Sequence, residues 1–126
     1  MIAYQMVGTN NLEAARIFYE GIFGLLGGKA IFSTPRAQFF KISKAGGMFS
    51  VGAPYDGEAA QPGNGVMTAF AAPTPELVEQ VYAKALELGG ESEGEPGPRG
   101  ESGNIFAYFR DLDGNKLAVC WFPPKA

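Results

Sequence analysis

The sequence contains an internal repeat, which constrains the fold more than any other feature. The triplet Leu-Gly-Gly occurs at 26–28 and again at 88–90, 62 positions apart in a chain of 126 residues. In each half an amphipathic segment ends at this triplet, with short apolar segments on either side of it. Because glycine accepts the left-handed conformation that commonly ends a helix, each triplet predicts a helix C-terminus. The two halves therefore predict two copies of one unit.

Apolar periodicity predicts the elements within each unit. Asn10 begins an Asn-x-x-Glu pattern typical of a helix start, and Thr74–Pro75 predicts the start of a second helix. Apolar residues recur at helical spacing at Leu12, Ala15, Tyr19, Ile22 and Leu26, and at Val78, Val81, Tyr82, Ala85 and Leu88. Strands are predicted at 1–7, 29–33, 37–42, 48–52, 66–72, 91–95, 104–110 and 116–122, with loops at 53–65 and 94–103.

These elements predict an α+β fold made of two βαβββ modules. A helix covers only one face of its sheet, so the other face must be buried by something else, for which the sheet of a second module around a cavity is the natural candidate. We expect one domain over residues 1–126, with the first module at about 1–60 and the second at about 61–126.

Composition excludes several classes of function. The chain has no histidine and one cysteine, Cys120, which excludes His-containing catalytic triads, His-ligated metal sites, an internal disulfide and a thiolate zinc site. The net charge of −3 argues against nucleic-acid binding. No signal peptide or membrane-spanning segment is predicted, and a lone thiol suits the reducing cytoplasm.

Three segments resemble a known family, the vicinal oxygen chelate superfamily of glyoxalase I, bleomycin-resistance proteins and extradiol dioxygenases. They are the first-helix segment at 11–19, Pro62–Gly65 with the strand that follows at 66–72, and the closing hairpin at 109–117. The resemblance implies that the two βαβββ modules form an eight-stranded, incompletely closed barrel-like sheet. It also implies a homodimer.

The resemblance further implies a divalent metal on the inner sheet faces, but the ligand positions do not carry ligands. Tyr4, Met67 and Ala118 stand at these positions, and they cannot together bind such a cation. No aspartate or glutamate lies inside the predicted strands at 1–7, 29–33, 37–42, 48–52, 66–72, 104–110 or 116–122. We therefore expect no metal and no other cofactor, since nucleotide-binding patterns are also absent.

Strand parity and the resemblance suggest which residues line the cavity. The candidates are Tyr4, Phe39, Phe49, Met67, Arg99, Tyr108, Ala118 and Cys120. An apolar, aromatic lining is typical of small-molecule sites. The first hypothesis is a metal-independent protein that binds a small aromatic or planar molecule. The alternative is a small-molecule enzyme of the same superfamily, such as a lyase, an isomerase or a dioxygenase-related enzyme, that acts without the usual His/Glu metal site; no catalytic residue can be assigned.

Three charged features can each be interpreted as structural or as functional. Segment 111–115 is similar to a calcium loop, but its Asp-Gly pair favours a hairpin turn. Alternating glutamates at 91, 93 and 95 favour a solvated edge strand over a metal cluster. Arg110 is expected to pair with Asp111 or Asp113, whereas Arg99 either contacts an anionic ligand or is simply exposed.

Overall fold

Both halves of the chain fold into the predicted βαβββ unit. The computed structural model describes residues 1–125, so Ala126 of the predicted domain lies outside the described residues. The first module contains β1 (Gln5–Gly8), α1 (Leu12–Leu25), β2 (Gly27–Ser33), β3 (Ala37–Ser43) and β4 (Gly46–Gly52). The second contains β5 (Thr68–Ala71), α2 (Pro75–Glu87), β6 (Glu91–Pro98), β7 (Ile105–Arg110) and β8 (Lys116–Trp121).

The helix starts follow capping chemistry, with one correction. The second helix is capped as predicted, by Thr74, whose hydroxyl accepts from the Leu77 N–H at 3.2 Å. The first is capped by Asn11 and not by Asn10, because the helix begins one residue later than the Asn-x-x-Glu pattern suggested. The Asn10 side chain instead exchanges two hydrogen bonds with the backbone of Ala60, at 2.7 and 3.1 Å.

The two glycines of each repeated triplet have different roles. Gly27 and Gly89 have φ angles of +82° and +103°, which few residues other than glycine adopt. At Gly28 and Gly90 a Cβ atom would collide with backbone carbonyl oxygens of neighbouring elements of the same chain. The first glycine therefore turns the chain out of the helix, and the second allows the next strand to pack closely.

The eight strands form two separate four-stranded sheets that do not close into a barrel within the chain. Their orders are β1-β4-β3-β2 and β5-β8-β7-β6, and the β1–β4 and β5–β8 pairs are parallel. The same order in both sheets confirms the predicted repeat. The sheets do not close on each other because the modules meet through α1 and α2 and through core side chains such as Phe49 and Phe70, which lie on the helix-covered faces.

Strand β6 is longer than the sequence predicts. It extends to Pro98, although the segment from Gly94 onward was predicted to be a loop. Proline is tolerated there because β6 is an edge strand, and pairing irregularities at Gly94 and Gly97 accommodate the two prolines. The extension carries Arg99 to the end of a strand.

Aromatic side chains join the two modules into one continuous core. Phe18 of α1 lies 6.4 Å, between ring centroids, from Phe109 of the second sheet. Phe70 of β5 packs against Phe23 at 5.0 Å and against Phe49 of β4 at 5.2 Å. The core therefore lies between the sheets, on the face of each sheet that its helix covers.

A buried polar cluster fastens the hairpin turn of the second module to the first. The Asp111 carboxylate accepts from the hydroxyl of Tyr19, from the backbone N–H groups of Asp113 and Asn115 at 2.9 Å, and from the Asn115 amide at 2.9 Å. The Asn115 amide also donates to the carbonyl of Gly8 at 2.9 Å. These bonds connect α1, the end of β1 and the turn between β7 and β8.

This cluster predicts a decline of stability at alkaline pH. Burial, and then the adjacent Asp111 carboxylate, raise the pKa of Tyr19 well above its ordinary value of 10.0. A raised folded-state pKa gives stability that is complete below the unfolded-state pKa and is lost as the pH rises above it. Between pH 9 and pH 11, the free energy of unfolding measured in urea should fall by about 1 kcal/mol more in the wild type than in Tyr19→Phe. Equal falls in the two proteins would contradict the assignment.

Candidate functional site

The first sheet exposes an aromatic surface on the face turned away from the helices. We call it the first open face; Tyr4 packs there edge-on against Phe39 at 5.0 Å, and Phe39 stacks on Phe32 at 4.4 Å. Tyr4 is 46% exposed, Met6 beside it 42% and Phe32 51%. Contiguous apolar exposure of this kind is typical of interaction surfaces.

The second sheet has a matching surface, the second open face. Phe106 stacks on Tyr108 at 5.8 Å and meets Phe122 edge-on at 5.7 Å. Beside these rings runs a line of small side chains on β5 and β8, paired in register, which we call the small-residue strip: Ala69, Ala71, Ala118 and Cys120. The side chains of the strip are shorter than the aromatic rings beside them.

The two open faces do not cover each other. Among residues 1–125, the rings of the first open face make no contact with those of the second. The ring contacts between modules lie in the core instead, on the opposite face of each sheet. Both apolar faces are therefore left uncovered within the chain.

The predicted cavity residues divide between these two faces. Tyr4 and Phe39 lie on the first open face. Tyr108, Ala118 and Cys120 share the second, where Ala118 stands opposite Tyr108 in register. Ala118 is 0% exposed, whereas Ala69 beside it is exposed.

Phe49 is a correction to the predicted lining. It is fully buried and packs against Tyr19 at 5.0 Å, Phe23 at 5.6 Å and Phe70 at 5.2 Å. Side chains alternate along a strand, so residue 49 faces the helices while its neighbours in β4 face the open side. Phe49 is therefore a core residue and lies in neither of the two cavities described below.

The two arginines are held in specific positions. Arg99 donates to the carbonyl of Glu95 at 2.8 Å, and its guanidinium carbon lies 5.4 Å from the Tyr108 ring centroid. Arg110 forms an ion pair with Glu93 at 2.6 Å, and the expected pairing with Asp111 or Asp113 is wrong. Asp111 is instead committed to the buried polar cluster, so its oxygens are not available to Arg110.

The positions that correspond to metal ligands do not fit a divalent metal. Tyr4 and Ala118 lie on different open faces, Ala118 presents only a methyl group, and Met67 offers a weak thioether. Within residues 1–125 no three His, Cys, Asp or Glu side chains are grouped so that they could hold a metal ion. The donor set therefore lacks the oxygen and nitrogen ligands that such a cation needs.

Cys120 lies in the small-residue strip and is only 3% exposed. Burial raises the pKa of its thiol. A nucleophilic cysteine needs the opposite shift, because the thiolate is the reactive form. The environment of Cys120 is that of a small apolar side chain.

The two remaining charged motifs are structural. Segment 111–115 is a turn, with Gly114 at a φ of +87° and its N–H donating to the Asp111 carbonyl at 3.1 Å. The three glutamates lie on β6, which is the edge strand of its sheet, as predicted. Their charges protect an exposed edge from pairing with other chains.

Two cavities open beside the faces, and sequence reasoning missed most of their lining. One, of about 780 Å³, includes Met6, Gly52, Arg36 and Tyr55. The Arg36 guanidinium donates to the Pro54 carbonyl at 2.5 Å and lies 5.6 Å from the Tyr55 ring centroid. Nothing local in the sequence indicates this pairing.

The second cavity, of about 600 Å³, lies between the loop before β5 and the adjoining ends of β7 and β8. Arg110 and Lys116 lie in its wall, together with Met67. Lys116 could have been found from the sequence, because it shares strand parity with Ala118 and Cys120. Its lining is completed by Pro62, Gly63, Asn64, Gly65 and Val66.

The fold and its paired open faces define a protein of the paired βαβββ class, and comparison with known proteins agrees. The family model described as Glyoxalase/Bleomycin resistance protein/Dioxygenase superfamily matches residues 2–119. The chain belongs to this superfamily. No protein of curated function matches it. Within residues 1–125, neither helix has the length and apolar character needed to cross a bilayer.

Solved structures share the fold over nearly the whole chain. A glyoxalase/bleomycin resistance protein from Albidiferax ferrireducens T118 is 34% identical, with 98% of this chain and 99% of that chain covered and a TM-score of 0.89. A family enzyme from Burkholderia phytofirmans PsJN is 17% identical, with 96% and 98% covered and a TM-score of 0.78. The fosfomycin resistance protein FosX from Listeria monocytogenes is 20% identical, with 98% and 93% covered and a TM-score of 0.75.

Proposed function

We propose that this chain is a cytoplasmic, metal-independent binding protein that forms a homodimer and holds a small aromatic or planar molecule in an apolar cavity. The observation that carries the proposal is the pair of uncovered aromatic faces, one on each sheet. The name of the relative from Albidiferax ferrireducens, a glyoxalase/bleomycin resistance protein, is consistent with small-molecule binding.

The dimer follows from the need to cover both faces. In a two-fold symmetric pair, the first open face of one copy can lie over the second open face of its partner, and the reverse contact forms at the same time. The small-residue strip keeps these two surfaces from packing solidly, so each contact encloses a cavity. Each cavity then draws its lining from both copies.

Metal independence is supported by the side chains at the ligand positions. In the proposed dimer Tyr4 of one copy faces the partner surface that carries Ala118 and Met67. A phenol, a methyl group and a thioether do not make a site for a hard or borderline cation. Aromatic stacking of the ligand on Tyr4, Phe39 or Tyr108 supplies the attraction instead. Each ring pair contributes about 0.5–1.5 kcal/mol in addition to the free energy of burying the rings.

Binding is favoured over the alternative of catalysis by the state of Cys120. Its raised pKa keeps the thiol protonated, so it is a poor nucleophile. The other group with a raised pKa, Tyr19, is buried in the core and donates to Asp111, away from both open faces.

A substitution in the strip tests the binding site. Ala69 is exposed, whereas tryptophan at the fully buried Ala118 would overpack the sheet, so Ala69→Trp is the better change. We expect the wild type to bind the neutral probe 2-naphthamide in a fluorescence titration and Ala69→Trp to bind it at least about tenfold more weakly, because an indole at residue 69 covers the surface on which the probe lies.

Ala83→Trp is the matched control, since Ala83 is an exposed alanine on α2, away from both open faces. It should bind like the wild type. Unchanged binding by Ala69→Trp would show that the small-residue strip is not part of the binding site. Elemental analysis of the same samples should give far less than one Zn, Ni, Mn or Fe per chain; one metal per chain that a chelator removes and re-addition restores would overturn metal independence.

A further inference from the structure

The cavity of about 600 Å³ lies at one end of the small-residue strip. Lys116 precedes Ala118 by two residues on β8, so it continues the same face of that strand, and Met67 lies just before β5, two residues ahead of Ala69. A flat molecule lying on the strip therefore points one end into this cavity. We call the cavity the basic pocket, because its lining contains Arg110 and Lys116 but no aspartate or glutamate.

The two cations stand directly opposite each other in the β7–β8 register. Like charges at such cross-strand positions destabilise a sheet. The Glu93 carboxylate offsets part of this cost through its ion pair with Arg110. Lys116 has no ion-pair partner among residues 1–125. An anion in the pocket would relieve the remaining repulsion.

Among the described residues, both cations keep donors that no protein group accepts from. Arg110 is fixed by its Nε bond to Glu93 at 2.6 Å and its Nη1 bond to the Gly114 carbonyl at 2.9 Å. Within the described residues its Nη2 makes no hydrogen bond, which leaves two donors. The Lys116 ammonium lies 5.6 Å from the Tyr108 ring centroid, at the border between the pocket and the aromatic rings.

We propose that the ligand is an aromatic carboxylate, with its ring on the small-residue strip and its carboxylate in the basic pocket, bound by Lys116 and Arg110. This inference rests on the proposed function, because it specifies the chemical class of the molecule held there. The dimensions agree, since Lys116 lies two residues, about 7 Å, along β8 from Ala118, which pairs in register with the exposed Ala69 beneath the ring.

A pair of probes of equal shape tests the inference. We expect the wild type to bind 2-naphthoate at least about tenfold more tightly than the neutral 2-naphthamide, because charge-assisted hydrogen bonds form only with the carboxylate. Lys116→Gln should lose this preference by weakening naphthoate about tenfold while leaving naphthamide within about twofold. Lys84→Gln, which removes the same charge from an exposed ion pair on α2, should keep the preference.

The outcomes separate this inference from the function on which it rests. If the wild type binds both probes equally, the basic pocket does not recognise an anion and the inference is overturned, while the aromatic site stands. If Lys116→Gln and Lys84→Gln bind naphthoate alike, Lys116 is not the anchor and the inference is also overturned. If the wild type binds neither probe, the proposed aromatic site fails and the inference fails with it.

Discussion

Replacing Asp111 with alanine should lower the free energy of unfolding by about 3–5 kcal/mol. The carboxylate is 5% exposed and accepts four hydrogen bonds, from the Tyr19 hydroxyl, the Asp113 N–H and two Asn115 groups. The substitution removes all four and leaves the Tyr19 hydroxyl buried without an acceptor. An unsatisfied buried donor costs more than the net value of the bond it loses.

The same turn contains a matched control. Asp113 also carries a carboxylate, but it accepts only an exposed bond, from the Asn10 N–H at 2.8 Å. Asp113→Ala should therefore cost less than about 1 kcal/mol. Urea unfolding of the three proteins at pH 7 and one protein concentration measures both effects, since dimerisation would couple stability to concentration. Similar losses in the two variants would mean that the buried cluster does not hold the modules together.

Elements whose cause lies within a few residues could be predicted from the sequence. The repeat of Leu-Gly-Gly, the Thr74–Pro75 helix start and the Asp113–Gly114 turn all appear in the structure where they were expected. Each depends on local backbone chemistry, such as a positive φ or a capping oxygen. The βαβββ order of both modules follows from these signals.

Features whose cause is a distant partner could not be predicted. The face of β4 on which Phe49 lies depends on Tyr19 and Phe23 of α1, which fill the core beneath it. Arg110 pairs with Glu93, 17 positions away, because Asp111 is already bound to Tyr19, 92 positions away. Sequence proximity favoured the wrong partner in that case.

The separation of the two sheets could not be predicted from the sequence either. Both open faces carry apolar residues at alternate strand positions, and this pattern is the same whether a face meets its own chain or another copy. Packing of α1 against α2 decides between the two arrangements, since it directs both open faces away from the shared core. Helix–helix packing depends on side-chain fit that spacing alone does not encode.

Placing a charge on the first open face should convert the proposed dimer into a monomer. Tyr4 precedes β1, so Tyr4→Glu disturbs no strand pairing, and its cost to the fold is the edge-on contact with Phe39. In the dimer the new carboxylate would be buried against the apolar strip of the partner. Because symmetry repeats the defect at both contacts, the dimer dissociation constant should rise by about a hundredfold or more.

Ile17→Glu is the control for this change, because Ile17 is 55% exposed on α1 and glutamate is well tolerated in a helix. Sedimentation velocity over a range of concentrations should give about twice 13.4 kDa for the wild type and for Ile17→Glu, and the monomer mass for Tyr4→Glu. A wild type that stays monomeric at every concentration would contradict the dimer. A Tyr4→Glu protein that stays dimeric would show that the copies meet elsewhere, and the cavity would then have to form within one chain, where the two open faces do not meet.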